Sequence, residues 1–453
     1  MIERRLSEIA AAIEGTFQGP DGLANAVATD SRSVAPGTLF FAIAGERLDG
    51  HDFVADALER GAIAAVVHRP VIDGPAIEVA DTGRALLALA ADERERMAGA
   101  RVVGITGSNG KTSAKDLAAA VLSARYRTHA SPASFNNEVG LPMTLLGSEP
   151  STEMVVAEMG ARREGDVELL CDVARPDAVV VTNVGLAHMG IFGSWEAIVR
   201  AGEEPARWIG PEGTAILNAD DPVVRGYAGA CRGTVLTFGT AADADVRGEG
   251  IGLGDDGRAS FVLTAGGERE TVELGVPGEH MVSNALAAAA VGRWAGLTVA
   301  ECAAALKGAA ISRWRMETSA TDAGVVVIND AYNANPESMA AALKAARRMA
   351  AGTRLAAVLG HMAELGPVSF EEHEKLGELV VRIGVERLVT VGEQARAIAR
   401  AAIREGQLPK DVASYDGPAE AARDVGGWVR PGDVVLLKGS RVAALERVAE
   451  ALT

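Results

Sequence analysis

Aromatic side chains are scarce in this 453-residue chain, only 4% of it. Its cores must therefore be built from Val, Leu, Ile and Ala. Cysteine is nearly missing. Cys171, Cys231 and Cys302 are odd in number, far apart and form no CxxC, which argues against a disulfide framework and a cysteine-held zinc site. Positive charge is in deficit, with 44 Lys and Arg against 61 Asp and Glu and a formal net charge of −17. A general nucleic-acid binder needs a basic face, so that class is excluded, although a local pocket on an acidic protein can still take a phosphate. No run approaches the roughly 18 apolar residues of a membrane span. The opening MIERRLSEIAAAIEG lacks the apolar stretch of a signal peptide and reads as an amphipathic helix closed by Gly15. The expectation is a cytoplasmic protein with no membrane insertion. Nothing specifies an oligomer, so a monomer is expected.

Hydrophobic residues make up 48% and charged residues 23%, as in soluble globular proteins. At about 150 residues per domain the length suggests about three domains. Residues 1–99 read as a small α/β unit, with strands near Val27–Thr29, Leu39–Ile43 and Ala62–Val67 and helices near Phe53–Arg60 and Arg84–Met97. Residues 100–312 place apolar strands at Arg101–Ile105, Met154–Ala157, Ala178–Thr182 and Ala215–Leu217 between helical segments, the pattern of a parallel sheet covered on both faces. Short alternating runs with Gly turns between Asp243 and Val276 suggest an antiparallel insertion, and helices return at Asn284–Trp294 and Val299–Leu306. Residues 313–453 alternate strands with helices, the last helix over Val442–Leu452, in a doubly wound, Rossmann-like layout. The expected fold class is α/β in three domains, with sites in the clefts between them.

The most informative segment is Gly104-Ile-Thr106-Gly107-Ser108-Asn109-Gly110-Lys111-Thr112-Ser113, between a predicted strand and a predicted helix. That context marks a phosphate loop. Small residues let backbone N–H groups close around phosphate oxygens, and the helix N-terminus adds a favourable dipole. Lys111 can reach the outer phosphates and Thr112 can ligand Mg²⁺. The first glycine of GxxxxGK[ST] is replaced by Ile105. The plainer alternative is a glycine-rich strand–helix turn.

The variant TGSNGKTS resembles the phosphate loop of the Mur ligase family, and further motifs follow in that family's order. Asp30-Ser31-Arg32 with Pro36-Gly-Thr-Leu-Phe40 resembles its nucleotide-sugar segment. Phe135-Asn136-Asn137-Glu-Val-Gly-Leu-Pro142 is similar to its NNxxGxP, Glu158-Met-Gly160 to its magnesium-binding EMG, and Thr182-Asn183-Val184 with Ala187-His188 to its TNV…AH. Tyr332-Asn333-Ala-Asn335-Pro336, Leu359-Gly360 with Glu364-Leu-Gly366, and Lys438-Gly-Ser-Arg441 resemble the member that adds D-alanyl-D-alanine.

The resemblance implies a ligase using ATP and Mg²⁺ in peptidoglycan precursor synthesis. ATP would phosphorylate the carboxylate ending UDP-N-acetylmuramoyl-tripeptide, and the amine of D-alanyl-D-alanine would attack the acyl phosphate. Another Mur-type amino-acid ligase and a nucleotide-binding pseudoenzyme regulator are the alternatives. A carboxylate is a poor acyl donor, so activation comes first, and the crowded negative charge needs Mg²⁺ and Lys111.

Lys111, Glu158 and His188 are the expected catalytic residues, with Thr112, Glu158 and His188 toward metal. Thr106 to Thr112, Asn284, Arg315 and Asp330 are expected at ATP. Asp30, Ser31, Arg32, Asn136, Asn137, Tyr332, Asn333 and Asn335 are expected at substrate. Each has a plainer reading. Glu158 could be a solvated loop carboxylate, His188 structural, Asp30 an N-cap, Asn136 and Asn137 turn formers, and Asn284 a helix cap.

Some positions depart from the family. The helix after Phe192-Gly193-Ser194 usually carries a lysine, often carbamylated, where Gly202 stands, with Glu203 and Glu204 beside it as candidate replacements. Met281, Asn329, His361 and Trp314 replace the usual Asn, Asp, Asp and Gly.

Overall fold

The computed structural model describes residues 1–45, 48–70, 74–97 and 99–453. Three larger sheets, each drawn from one stretch of sequence, organise it. The first has strands β1 (Thr16–Gln18), β2 (Ala26–Ala28), β3 (Thr38–Phe41), β4 (Ala64–Val67) and β5 (Ala76–Glu78) in the order β1-β5-β4-β3-β2. All but the β1–β5 pair are parallel. Gly37 sits at φ +85° in the turn before β3, a conformation glycine adopts without steric cost.

The central sheet has nine strands. These are β6 (Arg101–Thr106), β7 (Thr128–Ala130), β8 (Met154–Glu158), β9 (Ala178–Val181), β10 (Thr214–Asn218), β11 (Thr234–Gly239), β12 (Val246–Leu253), β13 (Arg258–Ala265) and β14 (Glu268–Pro277), in the order β14-β13-β12-β11-β10-β9-β6-β8-β7. Its interior strands are continuous apolar runs because both faces are covered. Every residue of β8 and β9 is buried. The antiparallel run expected as an insertion is not a separate body. β12 pairs in parallel with β11 through Phe238–Val246 and Gly239–Arg247, and β13 and β14 then continue antiparallel.

The third sheet has β15 (Glu317–Ala320), β16 (Val326–Asp330), β17 (Leu355–Gly360), β18 (Arg387–Val391), β19 (Val412–Tyr415) and β20 (Val434–Lys438), in the order β15-β16-β20-β17-β18-β19. Only β15 is antiparallel. The helix expected over Val442–Leu452 is broken. Ala444 takes φ +51°, ending a short turn at Arg441–Ala443 before a helix over Glu446–Leu452. The helix expected at the N-terminus is confined to Leu6–Ala12, because Arg4–Arg5 pairs as a strand with Leu23–Ala24.

The helices that position the site are α1 (Lys111–Ser123), α2 (Asp166–Ala174), α3 (Trp195–Trp208), α4 (Met281–Trp294) and α5 (Pro336–Met349). Helix α1 begins five residues after β6, so its N-terminus opens at the carboxyl edge of the parallel strands, where α/β sheets bind ligands.

Candidate active site

The loop from β6 to α1 is shaped by two glycines and braced by its neighbour. Gly107 lies at φ +131° and Gly110 at φ +81°, and a Cβ at Gly110 would overlap Asn284 Oδ1. Asn183 and Thr182 hold the loop from the end of β9. Ser108 N donates to Asn183 O at 2.9 Å, Asn109 N to Asn183 Oδ1 at 2.8 Å, and Thr182 Oγ1 to Asn109 O at 2.6 Å.

Lys111 folds back over this loop, donating to Gly107 O at 2.6 Å. Burial pushes its ammonium below the usual range, the Glu158 carboxylate opposes that, and the Arg315 guanidinium adds to it. Thr112 is 2% exposed and its Oγ1 lies 3.0 Å from Ser134 Oγ. Glu158 ends β8 at 1% exposure. Its Oε1 accepts from Asn136 Nδ2 at 2.8 Å, and its Oε2 is buried without a hydrogen-bond partner among the described residues.

These groups line a cleft of about 590 Å³ between the central and third sheets. The structure brings most of the sequence-derived residues together there. From the central region come Ser108 to Thr112, Asn136, Asn137, Glu158, His188 and Asn284. From the third region come Arg315, Asp330, Tyr332, Asn333 and Asn335. Thr106 and Gly107 line a smaller cavity of about 40 Å³ behind Lys111, together with His188 and Gly202. Asp30, Ser31 and Arg32 do not line the cleft. Arg32 pairs with Asp30 at 2.6 Å, which holds the Asp30 carboxyl at about 2, and Asp30 also caps the following turn through Arg32 N.

The third region reaches the loop from β6 to α1 directly. Arg315 Nη2 donates to Thr112 Oγ1 at 2.7 Å, and its guanidinium lies 4.4 Å from the Tyr332 ring centre. Asn335 Nδ2 donates to Asn109 Oδ1 at 2.6 Å while its Oδ1 caps α5. Asp330 pairs with the buried Lys438 at 2.7 Å, and Lys438 also donates to Asn333 O. His188 Nδ1 meets Glu364 Oε2, and Arg162 pairs with the same carboxylate at 2.7 Å. Burial lowers the His188 imidazole, Lys111 adds to that, and Glu364 opposes it.

Two plainer readings are corrected. Asn284 does not cap α4, since it lies inside that helix with Oδ1 against Gly110 and Nδ2 toward Met281 Sδ. Asn136 is a partner of Glu158 rather than a turn former, whereas Asn137 does shape the turn, its Oδ1 accepting from Gly140 N.

Three family descriptions match the chain: Mur ligase family, catalytic domain, over residues 24–121; Mur ligase middle domain over 105–292; and Mur ligase, glutamate ligase domain, over 314–441. The UDP-N-acetylmuramoyl-tripeptide–D-alanyl-D-alanine ligase of Mycobacterium leprae (strain TN) is 41% identical over 474 residues, spanning 93% of this chain and 92% of that one. The chain belongs to the Mur ligase family. Among solved structures, MurF from Acinetobacter baumannii matches with a TM-score of 0.89 at 31% identity, over 99% of this chain and 98% of that one. MurF from Thermotoga maritima in complex with ADP matches at 0.81 and 30%, over 94% and 96%.

The departures of this Mur ligase now have physical settings. A Cβ at Gly202 would come 2.7 Å from Tyr227 Oη, which donates to Val199 O. A side chain at this position would therefore press on Tyr227. Neither candidate replacement faces the cleft. Glu204 accepts from Gly165 N at 2.6 Å and Glu168 N at 3.1 Å, capping α2, and Glu203 pairs with Arg207 along α3. Asn329 Oδ1 accepts from Ala331 N, and His361 stands against Gly392. Trp314 takes φ +61°, where glycine is favoured, and its ring lies under Arg441.

Several participants escaped sequence reasoning. Ser134 carries no motif. Lys115 reads as a solvated helix residue yet is 2% exposed. Glu337, which accepts from Leu186 N at 3.1 Å, looks like an ordinary first-turn acid. Asn183 and Lys438 lay inside quoted motifs, and their roles needed the partner strands.

Proposed function

We propose that this chain is the ATP-dependent ligase that joins D-alanyl-D-alanine to UDP-N-acetylmuramoyl-tripeptide in peptidoglycan precursor synthesis. One observation carries the reading. In a chain 41% identical to a ligase of that description, Lys111 and the unpartnered carboxylate oxygen of Glu158 share one cleft with third-region groups. The proposed division is a substrate domain over 1–99, an ATP domain over 100–312 and a C-terminal domain over 313–453.

The donors present fit a magnesium ion. Glu158 Oε2 is a buried oxygen with no hydrogen-bond partner among the described residues, and Thr112 supplies a hydroxyl on the same cleft. Hard oxygen ligands suit Mg²⁺. Thr112 and Glu158 would hold it, with His188 nearby, and when bound it neutralises charge on the triphosphate and the acceptor carboxylate.

The chain's own groups would do the rest. The first-turn N–H groups of a helix lack intrahelical partners, so those of α1 would be free to donate to the phosphates. Lys111 would leave Gly107 O for the outer phosphates. The tripeptide carboxylate attacks the γ-phosphorus, the bond to ADP breaks, and an acyl phosphate forms. The dipeptide amine then attacks the carbonyl, loses a proton, and phosphate departs. Arg315 and Asp330 would order the nucleotide from the third domain, so closure aligns both substrates. Ser31 and Arg32 would donate to the diphosphate of the nucleotide sugar, with Asp30 holding Arg32 in place through their ion pair, and Tyr332, Asn333 and Asn335 would lie toward the peptide end.

Among the described residues no helix is long and apolar enough to cross a membrane. A cytoplasmic monomer is part of the proposal. The test is ADP release with each substrate in turn. D-alanyl-D-alanine should stimulate it only when a tripeptide precursor, ending in diaminopimelate or in lysine, is present. Stimulation without precursor indicates a simple NTPase, no stimulation a pseudoenzyme, and stimulation by a different amino acid another Mur-type ligase.

A further inference from the structure

We propose that Ser134 forms, with Thr112, a shared hydroxyl seat for the cation that accompanies the nucleotide, and that Arg315 fills this seat until the nucleotide arrives. The inference rests on the nucleotide reading above and adds a residue that no motif marks.

Ser134 lies in the segment between β7 and the helix that begins at Gly140. That segment is pinned from below. Lys115 Nζ donates to Ser131 O at 2.7 Å and to Ala133 O at 2.9 Å, and its charge is met by Asp116 at 2.7 Å. A lysine this buried is retained only with its donors satisfied. The same segment grips β8, because Ser131 Oγ accepts from Glu158 N at 3.0 Å. Ala133 takes φ +46° beside Ser134, a backbone state that persists only when its surroundings enforce it.

The outcome is a convergence of oxygens. Ser134 Oγ is 3.0 Å from Thr112 Oγ1, and Arg315 Nη2 donates to both, at 3.1 Å and 2.7 Å. The two hydroxyls thus turn lone pairs toward one point, where a positive nitrogen now sits. Glu158 Oε2 is buried in the same cleft without a hydrogen-bond partner among the described residues. Arg315 is an imperfect occupant, since its own Nε is buried and has no hydrogen-bond partner among the described residues. A compact divalent ion demands oxygen donors, which this point offers and a guanidinium does not fully use. Entry of the cation with its nucleotide would displace Arg315 from the hydroxyls and release its donors to phosphate. Because Arg315 stands two residues before β15, loading of the central region is thereby communicated to the third.

The test uses the full chain and ADP binding by calorimetry, with and without Mg²⁺. Ser134→Ala should lose about tenfold of the Mg²⁺-dependent gain in ADP affinity, the size typical of lost support around a metal. Affinity without Mg²⁺ should stay at the parent value, and Ser134→Thr should keep the gain. If Ser134→Ala retains the full gain while Thr112→Ala loses it, the role given to Ser134 is overturned. If Thr112→Ala retains it too, the phosphate-loop reading itself has failed. For the blocking role, Mn²⁺ binding without nucleotide is followed by electron paramagnetic resonance. Arg315→Ala should bind Mn²⁺ several-fold tighter than the parent, and equal or weaker binding overturns that part.

Discussion

Lys111→Ala separates the chemistry of the phosphate loop from its stability. In the free protein the ammonium makes a 2.6 Å hydrogen bond to Gly107 O, and burial lowers its pKa. Loss of a hydrogen bond from a charged donor costs about 1.5–3 kcal/mol. The second effect has the opposite sign. A lysine whose folded pKa lies below its unfolded one binds its proton more readily when unfolded. It therefore costs stability at neutral pH, and the cost fades only as pH rises through the lowered folded value. Removing the side chain removes both effects, so the stability of the free protein should move by no more than about 1–2 kcal/mol. The nucleotide-bound state is different. A unit charge about 4 Å from a phosphate oxygen, at an effective dielectric of about 20, is worth ~4 kcal/mol. That corresponds to about a thousandfold in rate. Ligation followed by coupled ADP release, alongside thermal unfolding, checks both halves. Near-parental turnover would refute the assignment of Lys111 to phosphate. Unfolding of the variant would show that the side chain is structural.

Gly110→Ala should abolish ADP binding and cost about 1–2 kcal/mol from the left-handed backbone alone, since Gly110 lies at φ +81° and the new Cβ would overlap Asn284 Oδ1; denaturant unfolding and calorimetry read the two effects. Gly202→Lys should lower stability by about 1–3 kcal/mol through overpacking against Tyr227 Oη, 2.7 Å from the new Cβ, and no carbamate signal should appear by carbon-13 NMR under labelled CO₂; a carbamate formed without loss of stability would contradict this. Glu364→Ala removes the carboxylate shared by His188 and Arg162. Because the Arg162 pair is half in solvent, stability should change by about 0–1 kcal/mol, while small-angle scattering of the nucleotide-free protein should show a larger radius of gyration. An unchanged radius would mean that the remaining contacts, among them Arg315–Thr112, Asn335–Asn109 and the close backbone approach of Gly190 and Gly366, hold the two regions together without Glu364.

Much of this protein was legible in its sequence, wherever the controlling forces act over a few residues. The strand at Arg101–Thr106, the glycine-bearing turn and the helix from Lys111 follow from apolar runs, small residues and local hydrogen bonding, so this strand–turn–helix could be read directly. The alternation of strand and helix in all three stretches follows from the same short-range periodicities. The ordered motifs also marked Glu158, His188, Arg315 and Asp330, all of which line one cleft. The running pattern could not reveal the break at Ala444, because nothing in Val442–Leu452 opposes a helix locally. It also could not join the antiparallel strands to the central sheet, since pairing along β11 and β12 is decided between segments.

Partnerships of polar groups lay furthest out of reach. Asn335 meets Asn109 across 226 residues and Arg315 meets Thr112 across 203. Glu204 reads as a metal candidate until α2 places two N–H groups against it. The burial of Lys115 depends on the Ser131 and Ala133 carbonyls that accept from it. Sequence specifies the elements and the chemical types at their ends, because propensity and periodicity are local. Which charge is neutralised, which carboxylate oxygen stays free and which cation sits on Thr112 depend on burial and on partners from distant segments, and these exist only once the sheets have packed.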